Sequence, residues 1–145
     1  MSQVSVTYHF VFSTYGREQV INEQHERELY KFIYNLSQAR GVKVWRIGGM
    51  PDHVHILCDV PPKMAVADYI KLIKAESSKF LNINSHFPGW KCWTEGYAVF
   101  SVDASTRQTR IDYIRNQKQH HKSLSYQDEY NNIMVEYGLN PDIEM

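Results

Sequence analysis

The chain has 145 residues, and its 16 Lys plus Arg are balanced by 16 Asp plus Glu. That length predicts one domain, residues 1–145, with a core large enough to need no disulfide or structural metal and no room for a second catalytic module. Zero net charge excludes a bulk-basic nucleic-acid binder while leaving a local basic groove open, and 43% apolar content excludes disorder. Cys58 and Cys92 are too few for a disulfide framework and fit a reducing cytoplasm. No basic, apolar leader opens the chain, and no segment approaches the roughly 18 continuous apolar residues of a membrane span. The expected setting is cytoplasmic, with no membrane partner.

The first element alternates. Val4, Val6, Tyr8, Phe10 and Phe12 share one face, and Ser5, Thr7, His9, Val11 and Ser13 share the other. Period two predicts a strand with one buried face. Asn22 with Glu23 and Glu26 reads as a helix start; Leu29, Phe32, Ile33 and Leu36 follow at helical spacing, and Gly41 stops it. Residues 42–47 and 53–60 read as two strands of a hairpin, turned at Gly48-Gly49-Met50-Pro51-Asp52. Val66, Tyr69, Ile70, Ile73, Ser77, Phe80 and Leu81 trace a second amphipathic helix. Residues 82–95 read as a loop in which Trp90 and Trp93 serve as anchors, and 96–102 as a fourth strand. Ser105-Thr-Arg-Gln108 has the form of a capping box opening a helix to about His121. A last helix covers 126–137, stopped by Gly138 and Pro141.

Strand, helix, strand, strand, helix, strand makes a split βαββαβ unit, so the predicted class is α+β, ferredoxin-like, with an antiparallel sheet and two added C-terminal helices. Both crossover helices of such a unit cover one sheet face. The other face is expected to stay open for ligands.

Chemistry concentrates in two places. His53 and His55 are i and i+2 in a strand, so both imidazoles point the same way while Val54, Ile56 and Cys58 point into the core. Two neighbouring imidazoles form half of a divalent metal site, although two surface histidines are the plainer reading of the pair alone. His9, on the polar face of the first strand, lies close enough to support them. Tyr113 and Gln117 are i and i+4 on a helix, with His120 and His121 near the same stripe. A solvated polar face is again the plainer reading in isolation. Together the two groups suggest more. A metal held by histidines polarises a phosphate oxygen, and a tyrosine is a covalent nucleophile. An oxygen ligand such as the Gln117 amide suits Mg²⁺ or Mn²⁺ better than two nitrogens alone. Tyr30, Tyr34 and Tyr69 sit on core-like helices, Tyr8 belongs to the buried strand pattern, and Tyr97 starts a strand. Lys71, Lys74 and Lys79 on the second helix offer contacts to backbone phosphates.

Several segments make the chain similar to the single-tyrosine HUH transposases of small insertion sequences. They are YHFVFS at 8–13, PDHVHIL at 51–57, PPKMAVADYIKLIKAESS at 61–78, the stretch from Trp93 through Tyr97, and YIRNQ at 113–117. The resemblance covers nearly the whole chain in order. It implies that His53, His55 and Gln117 hold Mg²⁺ or Mn²⁺ and that Tyr113 is the nucleophile. It implies cleavage and rejoining of single-stranded DNA at element ends beside subterminal hairpins, with the 5′ phosphate kept on tyrosine. It also implies a homodimer in which the tyrosine helix of one subunit completes the other's site. Where the family often has Lys-Tyr-Arg after the first strand, this chain has Thr14-Tyr15-Gly16-Arg17, so Arg17 is the DNA contact expected there, with His120 and His121 on the tyrosine helix. Two alternatives stay open from sequence: a domesticated nicking enzyme acting on host repeats, and a non-catalytic single-strand-binding module. The second needs aromatic stacking residues on the open face, where the chain instead offers His9, His53 and His55.

Overall fold

A computed structural model describes residues 2–120, 125–137 and 139. Four strands form one antiparallel sheet in the order β2-β3-β1-β4. They are β1 (Thr7–Ser13), β2 (Lys43–Met50), β3 (His53–Asp59) and β4 (Ala98–Val102). The central pair sets the site's register: Val11 lies opposite His55 and Ser13 opposite His53. The fold is the α+β arrangement expected. β1 starts three residues later than the alternation suggests, because β3 ends at Asp59 and β4 at Val102. Val4 and Val6 have no strand to pair with and stay exposed.

Two helices cover one face, α1 (Glu26–Ala39) and α2 (Val66–Ile83). Leu29 and Ile33 of α1 and Tyr69, Ile70, Ile73 and Leu81 of α2 bury against Phe10, Phe12, Val54, Ile56 and Cys58. Ser37 Oγ and Tyr69 Oη meet at 2.7 Å inside this layer, which keeps both hydroxyls satisfied. Trp93 packs edge-on to Phe12 and donates its indole N–H to Ser77 Oγ at 2.9 Å, so the 82–95 loop is anchored as its tryptophans suggest. Tyr34 departs from expectation: it is exposed on the outer side of α1.

The second sheet face is covered, which corrects the expectation that it stays open. Above it lie α3 (Arg107–Arg115), α4 (Gln117–His120) and α5 (Tyr126–Glu136). The reason is the composition of that face: Val11, Leu57, Phe100 and Val102 are apolar and need cover. Ile114 of α3 packs on Leu57 and Val102, and Ile133 of α5 packs on Val11 and Phe100. β1 is therefore buried on both sides.

Three local readings also change. Ser105 sits in a single 3-10 turn, Ala104–Thr106, and makes no cap; α3 begins at Arg107. The predicted long helix breaks at Asn116, whose N–H turns back to Asp112 O at 3.0 Å. Beyond the break, Lys118 Nζ donates to Gly49 O at 2.6 Å and to the Glu26 carboxylate at 2.8 Å, clamping α4 onto β2 and α1. Gly48 and Gly49 belong to β2 rather than to a turn. A Cβ on Gly48 would lie 2.8 Å from Ile114 O, so only glycine lets α3 approach this closely. His121, Gly138 and Pro141 lie outside the described residues.

Candidate active site

The alternation of β3 places His53 and His55 side by side on the face beneath α3–α5, both fully buried. His53 Nδ1 lies 2.7 Å from Asp52 Oδ1, which turns Nε2 outward to Gln117 Oε1 at 3.1 Å. His55 Nδ1 lies 2.8 Å from His9 Nε2, which turns its own Nε2 to Glu129 Oε1 at 3.0 Å. His9 thus stands behind His55, on the ring nitrogen away from Glu129. Tyr137 Oη is 3.5 Å from His9 Nδ1 on its far side.

Tyr113 and Gln117 meet this pair from above. The Tyr113 ring is edge-on to His55 with centroids 5.9 Å apart. Tyr113 Oη donates to Glu129 Oε1 at 2.5 Å, and Gln117 Nε2 donates to the same oxygen at 2.9 Å. Glu129 Oε2 lies 3.4 Å from His53 Nε2. The carboxylate is therefore the hub that α5 lowers onto the site.

The electrostatics follow from burial among charges. For His53, burial works against protonation, but the Asp52 and Glu129 carboxylates outweigh it and raise the pKa to about 9. For His9, burial and then the neighbouring His55 and Arg110 hold the pKa well below the usual imidazole value. Burial opposes the Glu129 charge, yet bonds to His53 and His55 hold its carboxyl far below the ordinary range. Burial, reinforced by Glu129, pushes the Tyr113 phenol above its ordinary range, so it carries its proton at neutral pH.

The donor set fits a divalent cation. Ligand atoms of His53, His55 and Glu129 all lie within 4.8 Å of one another, and the Gln117 amide oxygen is beside them. Asp52 orients the His53 imidazole as carboxylate partners commonly orient metal-binding histidines, and His9 occupies the corresponding nitrogen of His55. His25, Glu28 and His86 form a second group of metal-ligating type. It is partly exposed and ties the start of α1 to the loop after α2, in the other helix layer.

Among the remaining expected residues, three are not gathered here. Lys71, Lys74 and Lys79 lie on α2, across the sheet. Lys74 Nζ donates to Thr94 O at 2.8 Å and Gly96 O at 2.7 Å, and Lys79 pairs with Glu76 at 3.5 Å. Arg17 lies on the site's flank, where Nη2 donates to Gln127 Oε1 at 2.5 Å. With Ser13, Thr94, Tyr97, Gln127 and Tyr130 it lines a cleft of about 660 Å³. His120 is on α4, and only its backbone is described. Two site residues escape the sequence reading. For Asp52 the available signal is its place directly before His53. Glu129 carried a misleading signal: it stands in the first turn after the Ser125 cap, where acidic residues are ordinary.

Residues 2–117 match the family model described as "Transposase IS200 like". The chain is 28% identical over 120 residues to the transposase for insertion sequence element IS200 of Salmonella typhimurium, spanning 79% of this chain and 78% of that one. It is 26% identical over 115 residues to the ISDra2 transposase TnpA of Deinococcus radiodurans, spanning 76% and 82%. A crystal structure of a protein described as a transposase from Deinococcus radiodurans superposes with a TM-score of 0.60 at 26% identity, covering 81% of this chain and 95% of that one. A REP-associated tyrosine transposase bound to a REP hairpin shares the fold, with a TM-score of 0.63 at 15% identity over 100% and 92%. With a match that runs from before β1 through Gln117, the chain belongs to the IS200-like transposase family.

Proposed function

We propose that this transposase cleaves and rejoins single-stranded DNA through a covalent bond between Tyr113 and a 5′ phosphate. The observation that carries the reading is the convergence of His53, His55 and Gln117 beside the Tyr113 ring, all inside the family-matched segment. A divalent cation held by His53, His55 and Gln117, Mg²⁺ or Mn²⁺, would polarise the scissile phosphate and stabilise charge on the leaving oxygen. Tyr113 Oη attacks phosphorus, the bond to the 3′ oxygen of the preceding nucleotide breaks, and a 3′ hydroxyl is released. The phenol loses one proton and the leaving oxygen gains one. Because the bond to tyrosine conserves the phosphoester, a later 3′ hydroxyl can reverse the step at a new junction.

Asp52 and His9 fix the imidazole orientations, so this chain's own residues preorganise the site. The hairpin-bound relative supports a substrate in which the cleaved strand lies next to a hairpin. The resemblance suggests a homodimer with exchanged tyrosine helices. We favour use in cis, because Tyr113 and Gln117 contact the His53 and His55 of their own chain. Incubation with single-stranded DNA carrying such a hairpin and Mn²⁺ is the test. A protein–DNA adduct resistant to denaturation is expected, lost with chelator and in Tyr113→Phe, which still binds the hairpin. Equal cleavage in EDTA, or an undiminished adduct in Tyr113→Phe, overturns the reading.

A further inference from the structure

We propose that Glu129 is a ligand of the divalent cation, delivered by α5 of the same chain, so that the site is built from two imidazoles, one amide and one carboxylate. The inference rests on the metal-dependent reading above and adds to it a residue beyond the family-matched segment, which ends at Gln117.

The spacing supports it. The carboxylate oxygens of Glu129 stand 3.0 Å from His55 Nε2 and 3.4 Å from His53 Nε2, and Gln117 Oε1 stands 3.1 Å from His53 Nε2. Ligands bound at about 2.1 Å to one cation are separated by about 3.0–3.4 Å, whether the arrangement is octahedral or tetrahedral. These three separations match those that a shared ion imposes.

Charge supports it independently. Glu129 is 1% exposed, in contact with a phenol, an amide and two imidazoles. A site of His53, His55 and Gln117 alone is made of neutral ligands, and hard cations of the Mg²⁺ and Mn²⁺ type are held through oxygen and ligand charge.

The placement has a consequence for Tyr113. Its hydroxyl donates to Glu129 Oε1, so a cation-bound carboxylate sets the nucleophile beside the ion that holds the phosphate. Glu129 is then both a ligand and the positioning residue for Tyr113.

Mn²⁺ binding to the full chain, measured by titration calorimetry and by loss of the free-ion electron paramagnetic resonance signal, tests the proposal without reference to activity. The wild-type protein should bind one Mn²⁺. Glu129→Gln and Glu129→Ala should each bind at least about tenfold more weakly while keeping the wild-type circular dichroism spectrum. The bound ion in those variants should retain nitrogen couplings from the imidazoles. Glu129→Asp should recover part of the loss. Wild-type or tighter binding in either folded variant would mean that Glu129 competes with the cation, and would overturn the proposal while leaving the histidine site intact. Failure of the wild-type protein itself to bind Mn²⁺ would overturn the metal reading and this inference together, and is told apart by that result. If both variants unfold, the Glu129→Asp protein decides: unchanged affinity there contradicts a ligand role.

Discussion

His53 is the side chain in which sequence and environment meet most closely. Its place in H-x-H is visible from β3 alternation, but its chemistry comes from Asp52 on one ring nitrogen and Gln117 and Glu129 on the other. Alternation in β3 also decides the place of Cys58. Cys58 points into the layer under α1 and α2, where burial pushes its pKa up to about 12, whereas Cys92 lies exposed on the 82–95 loop. Thiolate, not thiol, is the nucleophile toward disulfide reagents. A colorimetric disulfide reagent at pH 8 should therefore titrate one thiol in the native protein and two in denaturant. Cys92→Ser should lose the fast phase entirely. Two fast thiols in the native protein would contradict the packing of β3. Position 58 was legible from period two alone; the exposure of Cys92 followed from a loop with no such period.

At the scale of elements, β2 and β3 carry a constraint that composition hides. Gly48 and Gly49 look like a turn cluster because glycine pairs usually are one. Here they are bare because their neighbours leave no space: a Cβ on Gly49 would fall 2.2 Å from His53 O. Gly49→Ala should force β2 and the backbone of His53 apart. The expected cost is about 1–3 kcal/mol in chemical denaturation, with weaker Mn²⁺ binding because His53 shifts. Stability and metal binding both unchanged would show that the strands part without moving the site. The other elements divide by the same logic. Amphipathic α1 and α2 and the alternating strands were readable because one face of each is apolar. The break at Asn116 was not, since it depends on Lys118 reaching Gly49 and Glu26 on distant elements. α5 was readable as a helix stopped by Gly138 and Pro141, but its role was not, because Glu129 meets His55 only after the whole sheet has formed.

Over the whole molecule, the sheet separates structure from chemistry. One layer, α1 and α2, holds the larger apolar core; the other, α3 to α5, closes over the imidazoles of His9, His53 and His55 from β1 and β3. The βαββαβ order was enough to predict the sheet and one covered face. It could not predict the second cover, which comes from helices outside that unit. Because that cover belongs to the same chain, Tyr113 faces its own histidines. Mixing Tyr113→Phe with His53→Ala protein, with exchange of subunits allowed, should leave cleavage at background. Recovery to a sizeable fraction of wild-type cleavage would establish sites shared between subunits and contradict use in cis. The central claim, that Tyr113 is the nucleophile, is tested most directly by digesting the adduct formed on hairpin-bearing single-stranded DNA and locating the nucleotide by tandem mass spectrometry. The account predicts a 5′-phosphonucleotide on the Tyr113 side chain; its attachment to any other residue would contradict it.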